Sequence, residues 1–442
     1  MSFKLLDRFK DADFTEIIKG SSISFIFRIF GLFLGYVLTI IIARFYGAEG
    51  LGDYILAITV LKLFTLISKL GIDTSSIRFI ASFSSQKKWL SIHDFRNKIF
   101  YTLCFTSLIC SLFMYFFADS ISSLVNTKES FIKINAFFLM PLVFFIVNYQ
   151  SLRGLKKIAE FSFFYRASQS LFAIISILIL YQFIDSSIVP IYAYLISLII
   201  VSVLSFLSFK FWLKKKSNGQ EEAKLEILKY STIFKVSLPL MFAQSIQFLM
   251  AWTDKLMIGG MVSSEAVGIY HTTFKLSMFS AIALMSINSI ASPKFAEKFY
   301  NNDFIGIKKI SNQSTKLIFI STLPLIILSF LFPKLLLGVF GKEFVAGTIA
   351  FLILSVGRLI SSLSGPAGNI LQMTNNQNIY AKILFVAAFV NIVLNYILIP
   401  IYEINGAAIA SMFSLIIWNI LMIYEVRRKF GFYTFYLPFK ND

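Results

Sequence analysis

Six basic residues stand inside long apolar stretches: Arg28, Lys62, Arg166, Lys275, Lys316 and Arg358. A charge held at mid-bilayer costs roughly 2.5–3.5 kcal/mol on insertion scales, so such a side chain is expected to face a water-filled cavity or a partner. The 23 acidic residues read differently, falling in loops or at helix ends. An interior whose charges are all positive is suited to receive an anion. Arginine grips phosphate oxygens with paired hydrogen bonds and lysine acts as a point charge. Arg28, Lys62, Lys275 and Arg358 lie deepest and are the expected substrate-binding residues of a cationic cavity. Arg166 and Lys316 lie nearer the ends of their stretches and are expected to snorkel to the interface.

Polar residues at helical spacing extend this pattern. Ser21, Ser24, Arg28, Gly31, Gly35 and Thr39 form one stripe, and Ser237, Gln244, Gln247 and Asp254 another. His271 precedes Lys275 by one turn, and Arg358 continues through Ser361, Gly365 and Asn369. A helix that lines a cavity needs such a face, whereas one that meets only lipid does not. Gln244, Gln247, Asp254, Lys255, His271 and Asn369 are therefore expected as cavity or gate positions. Asp254–Lys255 would be an ion pair shaping a mouth at the outer end of its helix, and His271 a proton relay. Small-residue stripes also serve close helix packing, and the glutamines also suit interhelical hydrogen bonds. Pro239 and the Gly365–Pro366 pair are hinge candidates, because proline removes a backbone hydrogen bond and kinks a helix. No P-loop, HExxH, GxSxG or paired interior carboxylates occur in the sequence. Cys104 and Cys110 fit no metal or redox spacing. No catalytic residue, cofactor or metal is expected, and the chain reads as a transporter rather than an enzyme.

These residues must be positioned by membrane-spanning helices. The 442 residues are 57% hydrophobic, 17% aromatic and only 14% charged, too apolar for a soluble domain. At roughly 20 apolar residues per crossing, the chain divides into about twelve spans. These are placed near 21–43, 52–72, 99–118, 131–152, 161–183 and 188–211, then 232–253, 265–291, 312–332, 346–372, 379–399 and 406–425. The expected organisation is a cytoplasmic amphipathic segment (1–20), an N-lobe (21–212), a cytoplasmic linker (213–231), a C-lobe (232–426) and a cytoplasmic basic tail (427–442). No cleavable leader is evident ahead of the first span. The net charge of +18 would suggest nucleic acid in a soluble protein. Here it follows from loop charge. Outside the spans, only Arg44, Lys128, Lys133, Lys255, Lys334 and Lys342 fall on the side opposite the N-terminus. By the positive-inside rule both termini are cytoplasmic. The two halves repeat at a shift of 216 residues: Glu49-x-x-Gly52-x-Tyr54 falls on Glu265-x-x-Gly268-x-Tyr270, and Lys19-x-Ser21 on Lys235-x-Ser237. Six spans separate the copies, which predicts an all-α polytopic membrane protein of two six-helix lobes related by a parallel pseudo-repeat.

Several segments resemble a known family. GAEGLGDYILAITVLKLFTLISKLGID (47–73), WTDKLMIGGMVSSEAVGIY (252–270), GPAGNILQMTNNQ (365–377) and LNYILIPIYEINGAAIASMFS (394–414) resemble Wzx-type O-antigen or capsule repeat-unit flippases. These belong to the multidrug/oligosaccharidyl-lipid/polysaccharide (MOP) exporter superfamily, and the likeness covers nearly the whole chain. It implies a MATE-like, V-shaped transporter of the bacterial inner membrane. Such a protein would carry an undecaprenyl-pyrophosphate-linked oligosaccharide by alternating access, for surface polysaccharide synthesis. It implies membrane lipids as surroundings, a polysaccharide polymerase and chain-length regulator as partners, and no nucleic acid. Coupling to H+, Na+ or the membrane potential would replace ATP. The alternatives are a MATE-type cation or drug exporter, a lipid II flippase, and a non-transporting scaffold of a polysaccharide assembly complex. Drug exporters tend to place carboxylates in their lobes, and this sequence shows none there. Lipid II flippases commonly add two helices after the twelfth span, for which residues 430–442 leave no room.

Overall fold

In a computed structural model the described residues are 12–184, 186–218 and 225–435, with side chains from residue 23 onward. The amphipathic character expected of 1–20, residues 219–224 of the linker and the tail beyond 435 lie outside them. The described residues are mostly helical, with no strand among them. Nine helices among them are long and apolar enough to cross a membrane. One of these, Ile23–Ser68, is 46 residues long and another, Gln377–Phe430, is 54. At 1.5 Å per residue each is more than about 65 Å, twice the roughly 30 Å of hydrocarbon. Each is in fact two passes around a non-helical residue, Gly47 in the first and Glu403 in the second. A further pass is the pair Glu129–Phe137 and Leu139–Gly154, bent by 50°. The twelve expected spans are thus accounted for.

In order, the passes are 23–46, 48–68, Trp89–Phe116, the bent pair, Ile158–Leu180, Val189–Ser217, Tyr230–Met261, Ser264–Tyr300, Phe304–Leu331, Glu343–Ser364, 377–402 and 404–430. Large side chains such as Phe33, Phe105, Phe116, Ile290 and Phe385 point outward. That arrangement is stable only where the surroundings are lipid, and the chain is a multi-pass membrane protein.

Several helix ends differ from the sequence expectation. The third pass begins at Trp89 and the seventh runs on to Met261, because charged residues lower hydropathy at helix ends without ending the helix. The expected tenth span, 346–372, instead stops at Ser364. Gly365 adopts φ 69°, and a short helix, Ala367–Met373, follows from Pro366. A positive φ is open to glycine and strained for other residues. Pro239 sits within the continuous helix Tyr230–Met261, and Pro324 likewise lies inside a helix. Pro141 is near the start of Leu139–Gly154, where the missing N–H has no helical partner to lose.

The chain forms two compact units. The first comprises residues 1–45 and 57–247, the second residues 46–56 and 248–442. This differs from lobes divided at a 213–231 linker. In the first unit, the Ser75 and Ser237 hydroxyls lie 2.7 Å apart, and a Cβ on Gly71 would overlap the Ser237 carbonyl. Residues 230–247 are thereby fixed to that unit. In the second unit, the repeat motif explains why 46–56 belongs there. A Cβ on Gly52 would overlap the carbonyl oxygen of Ser264 and lie 3.1 Å from the Gly268 nitrogen. A Cβ on Gly268 would overlap the carbonyl oxygen of Ala48 and lie 3.1 Å from the Gly52 nitrogen. Ala48 and Ser264 are themselves repeat mates, as are Gly52 and Gly268, so the two copies of the motif cross each other reciprocally.

Each element of the motif has a local cause. The breaks at Gly47 and Ser263 start the two helices at the same offset. Glu49 and Glu265 sit exposed in the first turns, where a negative charge favours the helix dipole. Tyr54 and Tyr270 are buried. The Glu343 carboxylate accepts the Ala48 N–H at 2.8 Å, and the Ser263 hydroxyl accepts the Ala266 N–H at 3.1 Å. Ser263→Ala should therefore cost about 1 kcal/mol of stability, the typical value of an N-cap, read as a lowered unfolding midpoint in detergent.

Candidate functional site

Two cationic residues of the second unit, Lys255 and Arg358, meet at one aromatic ring. Phe274 lies on the helix Ser264–Ser277, one residue before Lys275. The Lys255 ammonium sits 5.2 Å from its centroid and the Arg358 guanidinium 5.5 Å from it. Arg358 also donates to Met278 Sδ at 2.8 Å, at the tight turn Met278–Ser280 that interrupts the eighth pass. Lys255 is buried, lies 4.5 Å from the Trp252 ring and donates to the Ala251 carbonyl at 2.9 Å. Lys275, in the last turn of its helix, is half-buried, as are Arg358 and His271. A cation over an aromatic face gains about 0.5–2 kcal/mol, more as it is desolvated, which offsets part of the cost of holding it within a membrane helix bundle. The cluster therefore comprises Lys255 and Arg358, with Lys275 following Phe274 on the same helix. Lys255 belongs to it through Phe274.

Asp254 is the clearest departure from the sequence reading. It was expected at the mouth of its helix, but it lies seven residues before the end and is only 7% exposed. Its Oδ2 accepts hydrogen bonds from the Tyr270 hydroxyl (2.7 Å) and the Ser411 hydroxyl (2.6 Å). Its Oδ1 accepts from Asn395 Nδ2 (2.6 Å), whose amide also donates to Asn391 Oδ1 (3.1 Å). Asp53 and Asp73 are buried as well. The interior charges are thus not all positive, and the absence of interior carboxylates fails as an argument against cation export.

In the first unit, Arg28 and Lys62 are half-buried on the first and second passes. Gln244 donates to Thr74 Oγ1 (2.7 Å) and reaches Asp73 at 3.3 Å, joining the seventh pass to the helix Ile72–Ser85. Asp73 also pairs with Lys69 at 2.7 Å. Gln247 is exposed. In the second unit, Asn369 donates to Ser292 Oγ (3.0 Å) and the Asn288 carbonyl (3.3 Å), tying the short helix Ala367–Met373 to Ala281–Tyr300. The bonding at Gln244 and Asn369 is the interhelical kind that a polar stripe equally permits. Asn391, Asn395 and Ser411, by contrast, were missed, though Asn391 and Asn395 are spaced four apart on one helix face.

The polysaccharide biosynthesis protein family profile matches residues 17–299, and the MatE profile matches 239–397. The capsular polysaccharide biosynthesis protein CapF of Staphylococcus aureus is 27% identical over 53% of this chain and 60% of its own length. The probable low-salt glycan biosynthesis flippase Agl15 of Haloferax volcanii is 23% identical over 47% of this chain and 43% of its own. The matched region thus spans less than two thirds of either relative. Among solved structures, the lipid II flippase MurJ in an inward closed conformation superposes with a TM-score of 0.70 at 16% identity, covering 93% of this chain and 87% of that one. An inward-facing MATE transporter of the MOP superfamily gives 0.67 at 13%, covering 89% and 98%. With the profile spanning well over half of the sequence and the helices arranged as in these transporters, the chain belongs to the polysaccharide biosynthesis protein family and has a MATE-like fold.

Proposed function

We propose that the protein is a flippase that moves a lipid-diphosphate-linked oligosaccharide, of the undecaprenyl pyrophosphate class, between membrane leaflets by alternating access. The observation that carries this reading is the grouping of Lys255 and Arg358 around Phe274, a concentration of positive charge on membrane-spanning helices. Two cations in one place, with Lys275 on the same helix as Phe274, suit a diphosphate better than a neutral or cationic cargo. The family and the names of its relatives support the same substrate class. The charge distribution of the loops supports a bacterial inner-membrane location with cytoplasmic termini, hence movement from the cytoplasmic to the outer leaflet. A polysaccharide polymerase and a chain-length regulator would take up the product.

Moving a negative charge out of a cell with a negative interior is favourable by about 2.3 kcal/mol per charge per 100 mV, so the membrane potential assists without ATP. Asp254 is the residue proposed to couple an exchanged proton or sodium ion. It is a buried carboxylate with the Ser411 and Tyr270 hydroxyl oxygens and the Asn395 amide against it.

The test is surface polysaccharide in a deletion strain complemented with wild type, Lys62→Ala, Lys275→Ala or Arg358→Ala. Deletion should abolish display, and Lys275→Ala and Arg358→Ala should reach the membrane at normal levels yet restore less than a tenth of it. Normal display after deletion, with a gain in susceptibility to cationic drugs, would favour export of cations, for which the buried carboxylates leave room. Full complementation by every charge variant would favour a scaffold.

A further inference from the structure

After the twelfth pass the chain turns back on itself. Gly431 follows Phe430 with φ 76°, a left-handed conformation that glycine adopts without strain, and its N–H donates to the Arg427 carbonyl at 2.8 Å. Residues 431–435 then run against the second unit. Phe432 is buried and packs with Ala291, Phe295, Ile307, Ile370, Leu371 and Met422. Thr434 is only 1% exposed. A segment outside the last helix stays loose unless something ties it down, and here both an aromatic side chain and a threonine do so.

Thr434 is tied to the place where the tenth pass breaks. That helix stops at Ser364, and Gly365 takes φ 69° before the short helix Ala367–Met373. A helix that stops leaves its last carbonyls without N–H partners of its own. The Thr434 hydroxyl donates to one of them, the Ser364 carbonyl, at 2.7 Å. The Thr434 carbonyl in turn accepts from the hydroxyl of Thr315, on the ninth pass, at 2.9 Å. A Cβ on Gly365 would overlap Thr315 Oγ1, so the break sits directly on that hydroxyl. One threonine thus joins the ninth pass to the broken end of the tenth. Phe432 meanwhile packs against the helix on the far side of the break, through Ile370 and Leu371. The segment therefore holds the break from both sides, and all of these residues belong to the second unit. Hinge motion needs a few residues at the end of an element that absorb a large change of φ and ψ, and Gly365–Pro366 is such a place.

We propose that residues 431–435 are a latch on the tenth-pass break. Closed, as here, it fixes the angle between Thr348–Ser364 and Ala367–Met373. It must open for the second unit to change shape during transport. The inference rests on the alternating-access reading and adds a moving part to it. The bonds that hold the latch join uncharged groups, threonine hydroxyls and backbone carbonyls, so it parts and re-forms without separating charges. Each such bond shifts a local opening equilibrium by about fivefold, strong enough to set the balance and weak enough to reverse within a transport cycle.

The first test is amide hydrogen exchange of the purified full chain in nanodiscs. Thr434→Val should speed exchange of residues 360–373 about fivefold, the effect of one lost hydrogen bond on local opening, with residues 189–217 of the first unit as in wild type. Phe432→Ala should speed the same residues further. Thr434→Ser keeps the hydroxyl and should exchange as wild type does. Unchanged exchange at 360–373 in both Thr434→Val and Phe432→Ala would overturn the latch. So would a rise spread evenly over both units, which marks a general loss of stability. The second test locks the latch shut. Thr315→Cys and Thr434→Cys, together in a Cys104→Ser and Cys110→Ser background, are bridged by a short cleavable thiol cross-linker in proteoliposomes, and flipping of a fluorescent polyprenyl diphosphate disaccharide is followed. Cross-linking should abolish flipping, and cleaving the linker should restore it. Flipping that continues in the cross-linked protein would overturn the latch and leave the flippase reading standing. Absence of flipping by wild type, with exchange as expected, would overturn the flippase reading and leave the hold on the break standing.

Discussion

Gly52→Ala is expected to destabilise the protein by about 3 kcal/mol, the upper part of the range for overpacking a close contact. The methyl group would overlap the Ser264 carbonyl oxygen, and the neighbouring atom at 3.1 Å is the Gly268 backbone nitrogen. Neither is the end of a flexible side chain, so neither can swing aside. The helices must separate. Gly268→Ala should behave alike, because its methyl group would overlap the Ala48 carbonyl oxygen at the symmetric position. The reciprocity makes a sharper claim: the double variant should cost clearly less than the sum of the two singles. Once one methyl group has pushed the helices apart, the second finds the space already open. Gly338→Ala is the internal control. Nothing lies within 4 Å of a Cβ there, and its effect should be neutral or stabilising by about 0.5 kcal/mol. Unfolding midpoints of the four variants in detergent check all of this. Additive losses would mean that the two glycines do not share one crossing.

That crossing was partly legible in the sequence. The repeat at a shift of 216 residues identified Gly52 and Gly268 as equivalent, and the apolar stretches gave the number of passes. What the repeat could not supply was that the two copies touch each other. Similarity between segments carries no information about distance between them. The same limit governed the polar stripes. Helical spacing places Gln244 and Asn369 on polar faces, but a face that meets another helix and a face that meets water have the same spacing. Gln244 turned out to bond Thr74 and Asp73, and Asn369 to bond Ser292. The break at Gly47 lies between the first two expected spans, whereas Gly365 was read as a hinge within a span and ends the helix instead. The break at Glu403 falls in the gap between the expected spans 379–399 and 406–425, although Glu403 takes φ 51° without the residue type that favours it. Gly406, three residues on, lies where a Cβ would overlap the Leu398 carbonyl.

Asp254 was misplaced for a related reason, and its replacement carries the second large expected effect. Hydropathy ended the seventh pass at residue 253 because the charges at Asp254 and Lys255 interrupt the apolar run, although the helix continues to Met261. The carboxylate accepts three hydrogen bonds within the second unit, from Tyr270, Ser411 and Asn395, and Tyr270 and Asn395 are fully buried. Asp254→Ala removes every acceptor at once. A buried donor left without an acceptor costs about 1–3 kcal/mol, and the hydroxyls can partly re-pair, since Tyr270 and Ser411 already lie 3.2 Å apart. The expected loss is about 3–5 kcal/mol, enough to reduce the amount of folded protein in the membrane. Asp254→Asn keeps the shape and one acceptor oxygen. The hydroxyls can turn to accept from its amide, so it should retain most of the stability. The two variants together separate architecture from coupling. If Asp254 only ties the helices together, the asparagine variant should fold and restore surface polysaccharide. If it carries the exchanged proton or sodium ion, the same variant should fold, reach the membrane and restore less than a tenth of display, since a neutral amide neither takes up a proton nor balances a cation. The second outcome is the expected one. Full display by a well-folded asparagine variant would leave the membrane potential as the driving force.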